Sequence, residues 1–166
     1  DCRVHVFDPD TDQTLLLTTL EMHSTRVVFA GSDFWIVGQS NTNDDIQGFN
    51  FDPTTDETLA GPTTLVALAA RVNDLAVAQT GVSDFTTTHA TGTTVRANRF
   101  NAAGAVQSSF DVTAAGTSIE AVACCGNSGG TLLSFAWQEG ATGAYSLVTT
   151  SQTGGGAVGP TSFTRF

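Results

Sequence analysis

"VFDPDTDQTL" (Val6–Leu15) returns 44 residues later as "NFDPTTDETL" (Asn50–Leu59). Phe, Asp, Pro, Thr, Asp, Thr and Leu match in register. A repeat at a fixed period decides architecture ahead of local propensity, because each copy must fold as the same unit. A third copy is "RFNAAGAVQSSF" (Arg99–Phe110), and a looser fourth is "TTSQTGGGAVGPTSF" (Thr149–Phe163).

A second element precedes the first. "DFWIVGQSN" (Asp33–Asn41), "NDLAVAQTG" (Asn73–Gly81) and "LLSFAWQEG" (Leu132–Gly140) each hold an apolar run, then Gln39, Gln79 or Gln138, then a polar turn. Apolar strand segments stand before them: "RVVFAG" from Arg26, "LVALAAR" from Leu65 and "IEAVACCG" from Ile119. A unit reads strand, tight turn, strand, polar loop, strand, Asp/Gly turn, strand, with a period of about 44–52 residues. Four short strands per unit of that length predict an all-β fold of β-propeller-like, four-stranded antiparallel blades. The units fall at 24–65, 66–116 and 117–166 of a single repeat domain spanning 1–166. Residues 1–20 supply only the outer half of a further unit, which makes about three and a half blades, whereas propellers close with roughly four to eight. The competing reading is a helix over Thr63–Gln79, where Leu65, Leu68, Val72 and Leu75 share a helical face. The repeat register favours two strands turning at Arg71–Asp74 instead.

The composition narrows the function classes. The formal charge is -10, and all six basic residues are arginines. Such a surface repels nucleic-acid phosphates and anionic membranes, so neither is an expected partner. No apolar run reaches the roughly 18–20 residues of a membrane-spanning helix. The chain opens Asp1-Cys2 and its only methionine is Met22, as a processed product or a fragment would. An acidic, lysine-free surface and a removed secretory signal both fit an extracellular or cell-surface setting, where disulfides form. Cys2, Cys124 and Cys125 are three, so one thiol stays unpaired within the chain. Cys2 with Cys124 or Cys125 would tie the two ends together.

The units resemble the blades of large secreted bacterial proteins, in which a strand ending in tryptophan precedes a Gly/Gln and Asp/Gly-rich strand. "SFAWQEG" carries the tryptophan in the matching place. The resemblance implies a propeller-like fold outside the cell and no particular activity. An unclosed stack leaves a strand edge that invites pairing with another chain. The half unit is therefore expected to be completed by a second copy or by the rest of a larger propeller.

Three chemical readings compete with a purely structural one. "CCGNSGGT" is one letter from the nucleophile motif of trypsin-like proteases and would make Ser128 a nucleophile. That chemistry needs a His base and a buried Asp orienting it. His5, His23 and His89 lie in no matching context, and the motif's Asp is Asn127 here. In the repeat register the segment aligns with "AGSDF" and "ARVND", so Asn and Gly read as a tight turn and the likeness as coincidence.

The second reading puts calcium on Asp8, Asp10 and Asp12 of "DPDTDQT", because alternating carboxylates can converge on a hard cation. The competing account is a Pro-containing turn whose Asp side chains accept backbone N–H bonds. The third is a carbohydrate-binding face on the longer polar loops, Asn41–Gly48 and Gly81–Thr94, the second being an insertion. Both loops read as solvated hairpins. Trp35, Trp137, Phe29, Phe34, Phe51, Phe100 and Phe135 are expected in the core between sheets. The favoured expectation is a non-enzymatic extracellular structural or adhesive repeat protein, needing no cofactor, that assembles through sheet edges. A ligand-binding propeller fragment is the alternative and a serine hydrolase the remote one.

Overall fold

Apolar and β-branched runs punctuated by Gly, Asn and Asp give fourteen strands and no helix among the described residues. The computed structural model describes residues 1–8, 10, 13–54, 59–114, 118–127, 129, 132–141, 144–153, 164 and 165. β1 (Cys2–Asp8) and β2 (Gln13–Leu20) form a two-stranded first sheet. β3 (Met22–Ala30), β4 (Asp33–Ser40), β5 (Ile46–Phe51) and β6 (Ala60–Val66) form the second. β7 (Asp74–Gln79), β8 (Asp84–Thr91), β9 (Thr94–Asn101) and β10 (Val106–Ala114) form the third. β11 (Ile119–Gly126), β12 (Leu132–Ala141), β13 (Ala144–Thr153) and β14 (Thr164–Arg165) form the fourth. Every sheet is an antiparallel meander in chain order.

The turn after the repeated strand explains why Asp or Asn recurs there. Asp52 Oδ1 accepts the Thr54 amide at 2.8 Å and its hydroxyl at 2.7 Å. Asn101, at the same place in the third sheet, accepts the Ala103 and Ala105 amides at 3.0 and 2.9 Å. Both side chains do the work of a backbone carbonyl in closing the turn. A second matched pair lies beside it. Asn50 donates to Asp33 at 2.7 Å, and in the third sheet Arg99 pairs with Asp84 at the same distance.

The sheets stack face to face in chain order, with a hydrophobic cluster in each gap. Val4, Leu20, Met22 and Ile36 fill the gap between the first and second sheets. Val28, Trp35, Val37, Ile46 and Leu65 meet Val72, Leu75, Phe85 and Phe100 across the next. Val95, Ala97, Phe110 and Val112 meet Ile119, Val122, Phe135 and Trp137 across the last. Trp35 lies 5.4 Å from Phe85, which stacks on Phe100 at 5.1 Å. The Trp35 indole donates to the Ala102 carbonyl at 3.0 Å. It comes so close to Gly104 that a Cβ there would sit 2.6 Å from the ring. The first strand β7 neighbours both β3 and β11. Asp74 on β7 links all three: it accepts from Arg26 at 3.4 Å and from the Val122 amide at 3.0 Å.

Three expectations need correction. Thr63–Gln79 holds two strands rather than a helix, as the repeat register favours, but β6 ends at Val66, β7 begins at Asp74, and the connection between them is longer than the expected turn at Arg71–Asp74. "NDLAVAQ" is consequently the first strand of the third sheet rather than its second, and "LVALAAR" runs out of β6 into the connection. Gly81–Thr94 is not a solvated insertion. It contains β8, the second strand, and Phe85 through Ala90 are all buried because a sheet covers each face. Threonine suits a strand as well as valine does, and its hydroxyl hid that from a polarity reading.

Candidate assembly surface

The first sheet is half the size of the others, and the repeat says which half it is. Phe7-Asp8-Pro9 matches Phe51-Asp52-Pro53, so β1 corresponds to β5 and β2 to β6. Asp1 then corresponds to Asp45. Nothing in the first sheet corresponds to β3 and β4. β1 pairs with β2 along one edge and with no other strand among the described residues. The second edge of β1 carries N–H and C=O groups that no strand among the described residues pairs.

The neighbouring sheet carries the consequence. Phe34 on β4 and Phe85 on β8 hold the same place, each following the Asp of the matched pair and each facing the preceding sheet. Phe85 is 0% exposed beneath Trp35 of the second sheet, whereas Phe34 is 39% exposed. Phe29, 5.1 Å from Phe34, is 40% exposed, and Val27 beside it is 64% exposed. The expected core role of Phe29 and Phe34 fails because no strand among the described residues covers them. Ile36, further along the same face, is buried because β1 and β2 reach it. At the other end of the stack, Leu132 and Leu147 of the fourth sheet are also exposed.

Polar contacts hold the half sheet in place. The Asn41 amide donates to Asp1 Oδ1 at 3.3 Å. His23 bonds to Asn41 Oδ1 at 2.9 Å and to Gln39 Oε1 at 2.8 Å. Gln39 is fully buried, donates to the Asp44 carbonyl at 2.7 Å and accepts the Val72 amide at 3.2 Å. Those two backbone partners fix the orientation of the Gln39 amide. A cleft of about 370 Å³ opens between the half sheet and the second, lined by Leu20, Glu21, Ser40, Thr42, Gln47 and Phe49 among others.

The other residues singled out in the sequence are dispersed. Ser128 and Asp12 lie outside the described residues, as does the Asp8 side chain. Asp10 is exposed, and no group of three metal-ligating side chains forms among the described residues. His5 sits on β1, His23 on β3 and His89 on β8. Cys2, Cys124 and Cys125 are free thiols, so the expected tie between the chain ends is not made. Cys2 packs in the gap between the first and second sheets, while Cys124 packs against the third sheet, at the far end of the stack. Cys124 keeps some surface as a residue, but its thiol turns inward. Burial pushes it up to about 11, only partly offset by the nearby Thr88 hydroxyl. Cys125 is exposed.

Sequence reasoning missed the buried polar strip on the third sheet. Thr87, His89 and Asn98 share one face of β8 and β9, with Thr87 opposite Asn98. The Thr87 hydroxyl, His89 Nδ1 and Asn98 Nδ2 are buried without a hydrogen-bond partner. Burial, and secondarily the Arg96 guanidinium, lower the His89 imidazole to about 4, against a smaller opposing pull from Asp111. His89 is thus a neutral core residue, with its ring on the face shared with Phe85, turned away from the fourth sheet. The chain matches no family model, no curated protein and no solved structure.

Proposed function

We propose that the chain is a β-propeller-type repeat protein that works outside the cell as a structural or adhesive module. It performs no catalysis and assembles through its incomplete sheet, with another copy or with the rest of a larger propeller, into an oligomer or filament. One observation carries this reading: Phe34 is 39% exposed where its counterpart Phe85 is 0% exposed. An exposed aromatic pair beside a strand edge that no described strand pairs supports an interaction surface there.

Four-stranded meanders whose first strands neighbour one another support the blade interpretation. The charge of -10 supports a surface that avoids nucleic acid and anionic membranes. The spread of the three histidines over three sheets, with His23 held by two amides and His89 neutral in the core, supports the non-catalytic reading. The reading needs no metal or cofactor. Light scattering after gel filtration, with negative-stain microscopy of the same fractions, tests it. Defined oligomers or filaments are expected from self-assembly, and a lone monomer throughout the micromolar range would overturn assembly with another copy.

A further inference from the structure

The internal symmetry says what fits the open place. We propose that the half sheet is completed by a two-stranded antiparallel hairpin of the same chemistry as β3–β4, bringing an aromatic side chain onto Phe34. This rests on the assembly reading above and names the occupant of that surface.

Across the gap Phe85 packs against Trp35, 5.4 Å between ring centroids, which projects from the second strand of the preceding sheet. Phe34 stands where Phe85 stands. Cover in the same register would come from a second strand of the first sheet, beside β1, where the described residues place none. The same hairpin's first strand would lie over Val27 and Phe29, as β3 lies beside β7. A second copy docking one of its finished sheets would cover the aromatic patch but leave the β1 edge unpaired. A hairpin meets both needs at once, the backbone hydrogen bonds of β1 and the apolar cover of Val27, Phe29 and Phe34. In the second sheet the β4 strand passes to β5 through residues 41–45, and β5 starts at Ile46, the counterpart of Cys2. The occupant's second strand thus enters antiparallel to β1 and in the register of β4 with β5, where Phe34 pairs with Phe51.

The test adds the hairpin. A variant is made in which a duplicate of residues 22–45 is joined directly ahead of Cys2, so that the duplicate's Asp45 replaces Asp1. A control carries Trp35→Ser in the duplicate alone. Amide hydrogen exchange is read over residues 2–8. The proposal expects exchange of β1 to slow by roughly tenfold or more in the extended protein, as an open edge becomes hydrogen-bonded. It expects the control to lose most of that protection. Should the extended chain not fold, the synthetic peptide of residues 22–45 added to the unaltered protein gives the same readout. Unchanged β1 exchange with both extension and peptide overturns the proposal.

The two readings separate cleanly. Protection of β1 in a protein that is otherwise always monomeric keeps the hairpin and removes self-assembly. Self-association that persists while β1 ignores the hairpin does the reverse.

Discussion

His89 offers a measurable consequence of burying a titratable group between two sheets. Its imidazole is held at about 4 by burial and by Arg96, against 6.5 in an unfolded chain. Above 6.5 both states are neutral and the residue adds no pH dependence. As pH falls below 6.5 the unfolded chain takes up a proton that the folded protein refuses, so stability falls. The slope approaches about 1.4 kcal/mol per pH unit. Over the window from 6.5 down to about 4 the loss amounts to about 3 kcal/mol, complete once the folded imidazole itself protonates. The perturbation is His89→Gln, which keeps a polar side chain and removes the titration. Urea unfolding of both proteins at closely spaced pH values gives the two stability curves. Carboxylates distant from the site act equally in both and cancel in the difference. The native protein should lose ground to the variant steadily below 6.5 and not above it. Parallel curves across the window would refute the claim that His89 is neutral in the folded core.

Three further outcomes follow from the same packing. Phe85→Ala should cost about 3–5 kcal/mol, as a sealed aromatic site does, whereas Phe34→Ala should cost about 1 kcal/mol in dilute monomer because its site is open to water; equal losses by urea unfolding would contradict the difference in cover. Cys125 should react with a thiol reagent in the folded protein, and Cys124, buried and with its thiol at about 11, should react only on unfolding; peptide mapping that finds both labelled at one rate would refute the inward placement. Slowed β1 exchange in the chain carrying a second 22–45 hairpin is the corresponding outcome for the incomplete sheet.

The parts of this fold that could be read from the sequence are those where a single side chain performs a local task. Asp52 and Asn101 recur because the turn needs a side-chain acceptor for two backbone donors, and that task survives translation into letters. The same repeat matches β1 with β5 and β2 with β6. The third sheet was harder. Gln79 imitates Gln39 in its local context, yet Gln39 is a buried tie to the Val72 amide while Gln79 lies on a first strand. Only the pairing of Gln79 with Phe85 separates them. The threonines of β8 are polar in isolation and buried only because sheets close over both faces, a property of the stack rather than of the strand. The exposure of Phe29 and Phe34 is likewise set by what is missing beside them. Their letters are those of core residues.

Sedimentation velocity over a broad concentration range, on the native protein and on Phe34→Asp, tests the central claim most directly. The account predicts that the native protein associates as concentration rises, and that a charge at position 34, placed in the uncovered patch, abolishes association without unfolding the chain. A native protein that sediments as the same single monomer as Phe34→Asp at every concentration would contradict it.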